Sequence, residues 1–257
     1  MTDLDEQRRR DHVLAPLGFS IEVEGESIVG RVSITSHMHA AGTTGLRTGL
    51  VAAWVDLVAG THAVEHLFPK VPVTLDLDIH LFERPASAGE VEMESRVLKV
   101  GRSVAVFELE VRTDGEIVGV GTAKFVVAPD PTLRLKTRPR LRHRPGGLLL
   151  ERPFVEHAGI DVLEPGVASV PNAPEARNAA NTLNGALIAV LVEEAALSLT
   201  PGECLALLDL HYLQPVRVGP AIARADVRNG VGRVEVRDAG ADDRLAAVAT
   251  TRTFGPA

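Results

Sequence analysis

A single carboxylate interrupts the run Gly49-Leu50-Val51-Ala52-Ala53-Trp54-Val55-Asp56-Leu57-Val58-Ala59. The run reads as a helix apolar on every face, and such a helix is normally buried all round. An ionised carboxylate in that setting is costly unless it is paired, hydrogen-bonded or reached by solvent. Asp56 therefore has a structural partner, or it lies at the wall of a cleft where it works. A second apolar run, Ala186 to Leu199, is interrupted by Glu193-Glu194 and follows a polar loop, Asn172 to Leu183. Asn178, Asn181 and Asn184 cluster before it, and asparagines suit both turns and helix N-caps.

Other chemistry-bearing residues carry less. Cys204 is the one cysteine, so no internal disulfide exists, and no basic pair in sequence activates its thiol. His62 and His66 stand four apart on a helix, with His37, His39 and His157 elsewhere, but no acidic or Cys ligand joins them at metal-site spacing. No metal is expected. Net charge is −7 and aromatic content 4%, which argues against nucleic-acid binding. Thr132 to Pro145 is the local exception, with Arg134, Lys136, Arg138, Arg140, Arg142 and Arg144 and no acid. It reads as a solvated basic linker rather than a phosphate-binding strip. The charged N-terminus and the lack of a run of roughly 20 apolar residues predict no secretory signal and no membrane span. A cytoplasmic protein is the expectation.

The elements that must hold these residues come twice, in the same order. Short strands (Phe19–Val23, Ser27–Ile34), a loop, the helix Gly49–His66 and four strands (Val73–Phe82, Glu90–Val100, Ser103–Arg112, Ile117–Val127) make the first set. After Pro145-Gly146-Gly147 come Ile160–Leu163, Val167–Val170, the Asn-rich loop, the helix Ala186–Leu199 and strands beginning at 205, 221, 232 and 245. Short helices at Asp11–Leu17 and Phe154–Gly159 precede the two sets. Gly49–Ala59 overlays Ala186–Ala196 and sets Asp56 opposite Glu193. Glu83-Arg84-Pro85 with Gly89 overlays Leu213-Gln214-Pro215 with Gly219, and Gly101-Arg102 overlays Gly232-Arg233. Three landmarks in one order predict an internal duplication. The expected domains are residues 1–130 and 151–257, joined by the basic linker 131–150. A helix on one antiparallel sheet leaves edges that need a partner, and two fused copies supply each other with one about a pseudo-two-fold axis.

This pattern resembles the tandem, or double-hotdog, form of the hotdog-fold acyl-CoA thioesterase superfamily, with closest similarity to the phenylacetate-pathway and hydroxybenzoyl-CoA thioesterase group. That group enters its central helix through His-Gly-Gly, with an acidic residue eight positions after the first glycine. Asn184-Gly185-Ala186 with Glu193, and Arg47-Thr48-Gly49 with Asp56, keep that spacing and one glycine each. The strand pattern Val73-Thr74-Leu75-Asp76-Leu77, Arg84-Pro85, Gly89, Val97 and Gly101-Arg102 is also typical. The resemblance implies an α+β double hotdog: two long helices, each wrapped by antiparallel sheet. It also implies hydrolysis of acyl-CoA thioesters without metal or organic cofactor, and pairing of the two-repeat chain into a homodimer.

Carried over residue by residue, the resemblance makes two composite clefts. The first joins Asp56, as base or nucleophile, to Asn178, Asn184 and the oxyanion-binding N–H of Gly185. The second joins Glu193 to Ala41, Arg47 and Thr48; it lacks the first glycine and is expected to be degenerate. Arg102 and Arg233 are the expected contacts to CoA phosphates. Two other readings compete: a non-catalytic acyl-CoA-binding or structural protein, and an acyl-thioester hydratase or dehydratase, whose glycine-rich signature is missing.

Overall fold

The computed structural model describes residues 12–130, 132–135, 150–178 and 180–255. The first half contains β1 (Ser20–Glu24), β2 (Ser27–Ser33), α1 (Thr48–Leu67), β3 (Pro72–Leu81), β4 (Glu90–Val100), β5 (Val104–Thr113) and β6 (Glu116–Val127). The second contains α2 (Phe154–Ala158), β7 (Asp161–Glu164), β8 (Val167–Val170), α3 (Gly185–Leu197), β9 (Leu205–Tyr212), β10 (Ala221–Arg228), β11 (Val231–Asp238) and β12 (Arg244–Thr253). The helix expected at Asp11–Leu17 is a single 3-10 turn, Ala15–Leu17, ended by Gly18 in the left-handed region. Of the basic stretch, Lys136 to Arg144 lies outside the described residues. Its start is tied to the first half, where Leu135 N–H donates to the Pro69 carbonyl at 2.9 Å.

All strands form one 12-stranded sheet in the order β1-β2-β4-β5-β6-β3-β9-β12-β11-β10-β8-β7. Read inward from either edge, the two halves have the same order. They join through β3 and β9, which run antiparallel with Asp78 opposite Asp209, Leu77 opposite Leu210 and Ile79 opposite Leu208. The pseudo-two-fold axis therefore passes through the Asp78–Asp209 pair. Leu77, Ile79, Leu208 and Leu210 are fully buried beneath α1 and α3, as the period-2 alternation of a half-buried strand demands. This is the double-hotdog architecture: each half supplies the other with its sheet neighbour and its helix neighbour.

The two helices cross so closely that a Cβ on Gly49 would lie 2.8 Å from Val190 Cα and 3.1 Å from the Ala189 carbonyl oxygen. That contact explains why the apolar run of α1 begins with glycine. One overlay from the sequence is corrected. Gly101 lies in the β4–β5 turn, where its N–H donates to Val104 O, whereas Gly232 lies inside β11 opposite Thr251. The second hairpin is shorter, because β10 has 8 residues against 11 in β4. Its turn falls at Asn229-Gly230, both at positive φ. The repeat is carried by sheet order, not by that glycine.

The outer face of the β3–β9 seam is electrostatically loaded. Asp76 pairs with Lys124 Nζ and with His211 Nδ1, the latter at 2.7 Å, and His211 Nε2 reaches Asp209 at 3.2 Å. Burial, then the hydrogen bond and charge of Asp209, push Asp78 up to about 7. A carboxyl with a raised native value binds more protons folded than unfolded, so its contribution to stability falls as pH rises toward 7. Asp78→Asn is expected to flatten the decline in Tm between pH 5 and 8. Asp78 is only half-buried, so the effect is discounted to about 1 kcal/mol, or about 2–4 °C. Thermal unfolding of both proteins across that range measures it, and an unchanged pH slope would refute it.

Candidate active site

The first cleft is built from both halves. Asp56 comes from the middle of α1, and its Oδ1 accepts a 2.7 Å hydrogen bond from Thr74 Oγ1 on β3. Thr74 would face away from the helices if β3 alternated regularly, since Leu77 and Ile79 face them. A β-bulge at Leu75 breaks the register, with Thr74 opposite Phe125 and Asp76 opposite Lys124, and turns Thr74 inward. Bulges beside functional sites re-aim side chains in this way. From the second half come Tyr212, on β9, and the start of α3. Tyr212 Oη donates to the Gly185 carbonyl at 2.9 Å, and the charge of Asp56 acts on that hydroxyl.

Asn184 caps α3 itself, its Oδ1 accepting from Ala186 N–H at 2.9 Å. Among the described residues no acceptor takes the Gly185 N–H. A free N–H at a helix start, aided by the helix dipole, is a donor for developing negative charge. Burial pushes the Asp56 carboxyl up to about 6, and the Thr74 hydroxyl pulls it back in part. At neutral pH Asp56 is thus mostly ionised and still basic enough to accept a proton. Thr74→Val is expected to raise it further and to move the acid limb of any pH–rate profile upward. A profile that stays in place would show that the hydroxyl does not act on Asp56.

The second cleft carries the same positions with different residues. Glu193 stands where Asp56 stands, Leu205 where Thr74 stands, Leu81 where Tyr212 stands, and Arg47-Thr48 where Asn184-Gly185 stand. A matching bulge at Ala206, between Leu205 opposite Thr253 and Leu207 opposite Arg252, supports the equivalence of β9 with β3. Glu193 is one methylene longer than Asp56, and its Oε1 reaches Thr48 N–H at 2.8 Å. It thereby caps α1, whose own N-cap residue, Arg47, makes no side-chain cap. Arg47 Nη1 pairs with Glu194 and lies 3.7 Å from Glu193 Oε2. Thr48 Oγ1 donates to the Leu205 carbonyl at 2.8 Å. Burial, above all, pushes Glu193 up to about 7.

Exposure separates the clefts. Asp56, Thr74, Asn184, Gly185 and Tyr212 all keep a partly exposed edge. Glu193, Thr48 and Leu205 are 0% exposed, and Arg47 is 2%. The helix donors of the second cleft are consumed by its own carboxylate. In the first, Asn184 takes the Ala186 N–H, and among the described residues the Gly185 N–H has no acceptor. A surface cavity of about 250 Å³ does lie on the second side, lined by Ala41, Gly42, Glu194 and Leu197 among others. Its carboxylate, Glu194, is already neutralised by Arg47, and Glu193 is not in its wall, so the cavity offers no free acid–donor pair.

The remaining expected site residues are not gathered around Asp56. Asn178 is exposed, and its Oδ1 accepts from Ala180 N–H, Thr182 N–H and Thr182 Oγ1. It staples its own loop, as asparagines in turns do. Arg102 sits in the β4–β5 turn beside the C-terminal end of α1, where its carbonyl receives Lys70 Nζ. Arg233 pairs with Glu235 two residues along β11. His62 is buried against Phe107 with its Nδ1 3.0 Å from Ser95 Oγ, and burial, then His66, push it down to about 4. Cys204 is buried 3.7 Å from Thr43 Oγ1, and burial raises its thiol. Sequence reading did not single out Thr74, which bonds Asp56, or Tyr212, which bonds Gly185. Thr74 was hidden by the bulge; Tyr212 had one signal, being the chain's single tyrosine.

Known proteins share this fold. Residues 48–120, which run from the start of α1 into β6, match the family model described as Thioesterase superfamily. No curated protein matches the chain. A 12:0-ACP thioesterase from Umbellularia californica is similar in structure, with a TM-score of 0.65 at 17% identity over 90% of this chain and 98% of that one. An acyl-ACP thioesterase from Bacteroides thetaiotaomicron gives 0.61 at 16% identity over 89% and 98%. The tesB protein of Mycobacterium avium subspecies paratuberculosis gives 0.62 at 16% identity over 95% and 98%. At such identities the likeness is one of fold, and it spans both halves. The chain is a double hotdog whose first half carries the sequence pattern of the thioesterase superfamily.

Proposed function

We propose that the protein hydrolyses acyl thioesters, acyl-CoA foremost, in the cleft between Asp56 and the Gly185 turn. The observation that carries this is the asymmetry of the two carboxylates: Asp56 keeps a partly exposed edge and leaves the α3 donors alone, whereas Glu193 is sealed onto the Thr48 N–H. In the reaction, the Asp56 carboxylate activates water or attacks the thioester carbonyl carbon itself. The carbonyl oxygen, becoming negative, accepts from Gly185 N–H. The carbon–sulfur bond breaks and the thiolate leaves, taking up the proton drawn from water; water adds to the acyl carbon directly, or hydrolyses the mixed anhydride formed on Asp56, and the free acid is released. Thr74 holds Oδ1, so the other carboxylate oxygen is the one that works.

The reading is tested by incubating the purified protein with a thiol reagent and a panel of thioesters. The panel includes phenylacetyl-CoA and hydroxybenzoyl-CoA, for the group the sequence resembles. It also includes aliphatic acyl-CoA and acyl-ACP, because two proteins of the same fold are acyl-ACP thioesterases by name. Thiol release that depends on Asp56 supports hydrolysis. Thermal stabilisation by acyl-CoA without thiol release would instead make the protein a binder, and loss of the enoyl absorbance of an enoyl-CoA would make it a hydratase.

A further inference from the structure

We infer that Tyr212 is a positioning residue for the oxyanion donor, working as a matched pair with Gly185; the inference rests on hydrolysis at the Asp56 cleft. Three observations converge on it. The hydroxyl donates to the Gly185 carbonyl at 2.9 Å and so ties the first turn of α3 to β9. The ring occupies the side of Gly185 where a side chain would go: a Cβ there would lie 3.2 Å from Oη and 3.3 Å from Cε1 and Cζ. The same hydroxyl is near enough to Asp56 for that charge to act on it.

The second cleft is an internal control. At the two equivalent positions it has Leu81 and Thr48, an aliphatic residue with no hydroxyl and a helix residue with a side chain. Both are sealed in the protein, at 8% and 0% exposure. The duplicated scaffold thus supports either pair. An aromatic on the strand goes with glycine on the helix where the cleft is open. Leucine goes with threonine where it is closed. The role assigned to Tyr212 is indirect: it acts through the placement of Gly185.

The test uses the whole chain and compares Tyr212→Phe, Tyr212→Leu and the double variant Tyr212→Leu with Gly185→Thr, beside Asp56→Asn. Losing one positioning hydrogen bond is expected to lower kcat of Tyr212→Phe about ten-fold with KM within about two-fold. Amide exchange in the first turn of α3 should quicken in the same variant while exchange in α1 stays unchanged. The double variant, which copies the pair already tolerated at Leu81 and Thr48, should fold and fall to the activity of Asp56→Asn. Wild-type kcat together with unchanged exchange in Tyr212→Phe would overturn the positioning role while Asp56→Asn remained inactive. A parallel loss of Tm and kcat in Tyr212→Phe, recovered in the double variant, would reduce Tyr212 to a packing residue and also overturn it. Full activity of Asp56→Asn would overturn the placement of hydrolysis at this cleft and this inference with it.

Discussion

Asp56→Asn is expected to lower kcat/KM for thioester hydrolysis by about 10²- to 10⁴-fold, the range in which a positioned base or nucleophile contributes. The amide keeps the volume and can still accept from Thr74 Oγ1, which now bonds the carboxylate at 2.7 Å, so the fold should survive. Glu193→Gln on the same panel should leave activity within a few-fold, because Glu193 is sealed at 0% exposure and already spent on Thr48 N–H. The pH dependence has a definite sign. Burial raises Asp56 to about 6, and the ionised form is the working one. Activity should therefore fall as pH drops through about 6 and should level off above it. Steady-state kinetics from pH 5 to 8 read both predictions. Activity retained in Asp56→Asn and lost in Glu193→Gln would move the site to the second cleft, and a profile that rises toward acid would argue that protonated Asp56 is required.

Arg47→Met should cause the largest loss of stability. Arg47 is 2% exposed, Glu193 0% and Glu194 8%, and the guanidinium is the cation that holds both acids where α1 begins. Removing one member of a buried ion pair costs about 3–5 kcal/mol, because the partner's charge is left unpaired. For a chain of this size each kcal/mol moves Tm by about 2–4 °C, so a drop of about 10 °C is expected. Glu193 is already raised to about 7, and losing Arg47 raises it further. The variant should therefore lose more stability at pH 8 than at pH 6, since an acid with a raised native value is penalised as pH climbs. Changing all three residues together, Arg47→Met with Glu193→Gln and Glu194→Leu, should restore much of the loss, because no uncompensated charge remains. Melting curves at the two pH values decide the matter; an Arg47→Met protein as stable as wild type at pH 8 would show that the network holds nothing together.

Together these results would say that one duplicated scaffold has been put to two uses. In the first cleft an aspartate stops short of the helix donors, and a hydroxyl delivered by a bulge holds it. In the second, one more methylene carries the glutamate onto the Thr48 N–H, and an arginine from the same turn closes the circuit. The longer acid, together with Arg47 and Thr48 in place of Asn184 and Gly185, makes a structural clasp of the second cleft.

The sequence by itself determined the elements and their order. Long apolar runs, period-2 alternation and turn glycines are local signals, and they marked both central helices and the strands to within a few residues. It determined the duplication too, and the resemblance implied the pairing of Glu193 with the α1 turn that the Thr48 hydrogen bond displays. What only the tertiary structure decided is what fills each cleft. The bulge at Leu75 reverses the direction of Thr74, and nothing in Val73-Thr74-Leu75 signals that break of alternation. The bond from Tyr212 to Gly185 and the clasp of Arg47 on Glu194 join residues 27 and 147 positions apart. The misplaced overlay of Gly232 on Gly101 has the same origin: hairpin length is set by pairing between strands, not by the glycine that happens to lie near the turn. Spacing along the chain tells which residues can share a helix face. Whether a carboxylate reaches a donor is a matter of one bond length, fixed only when the two halves pack.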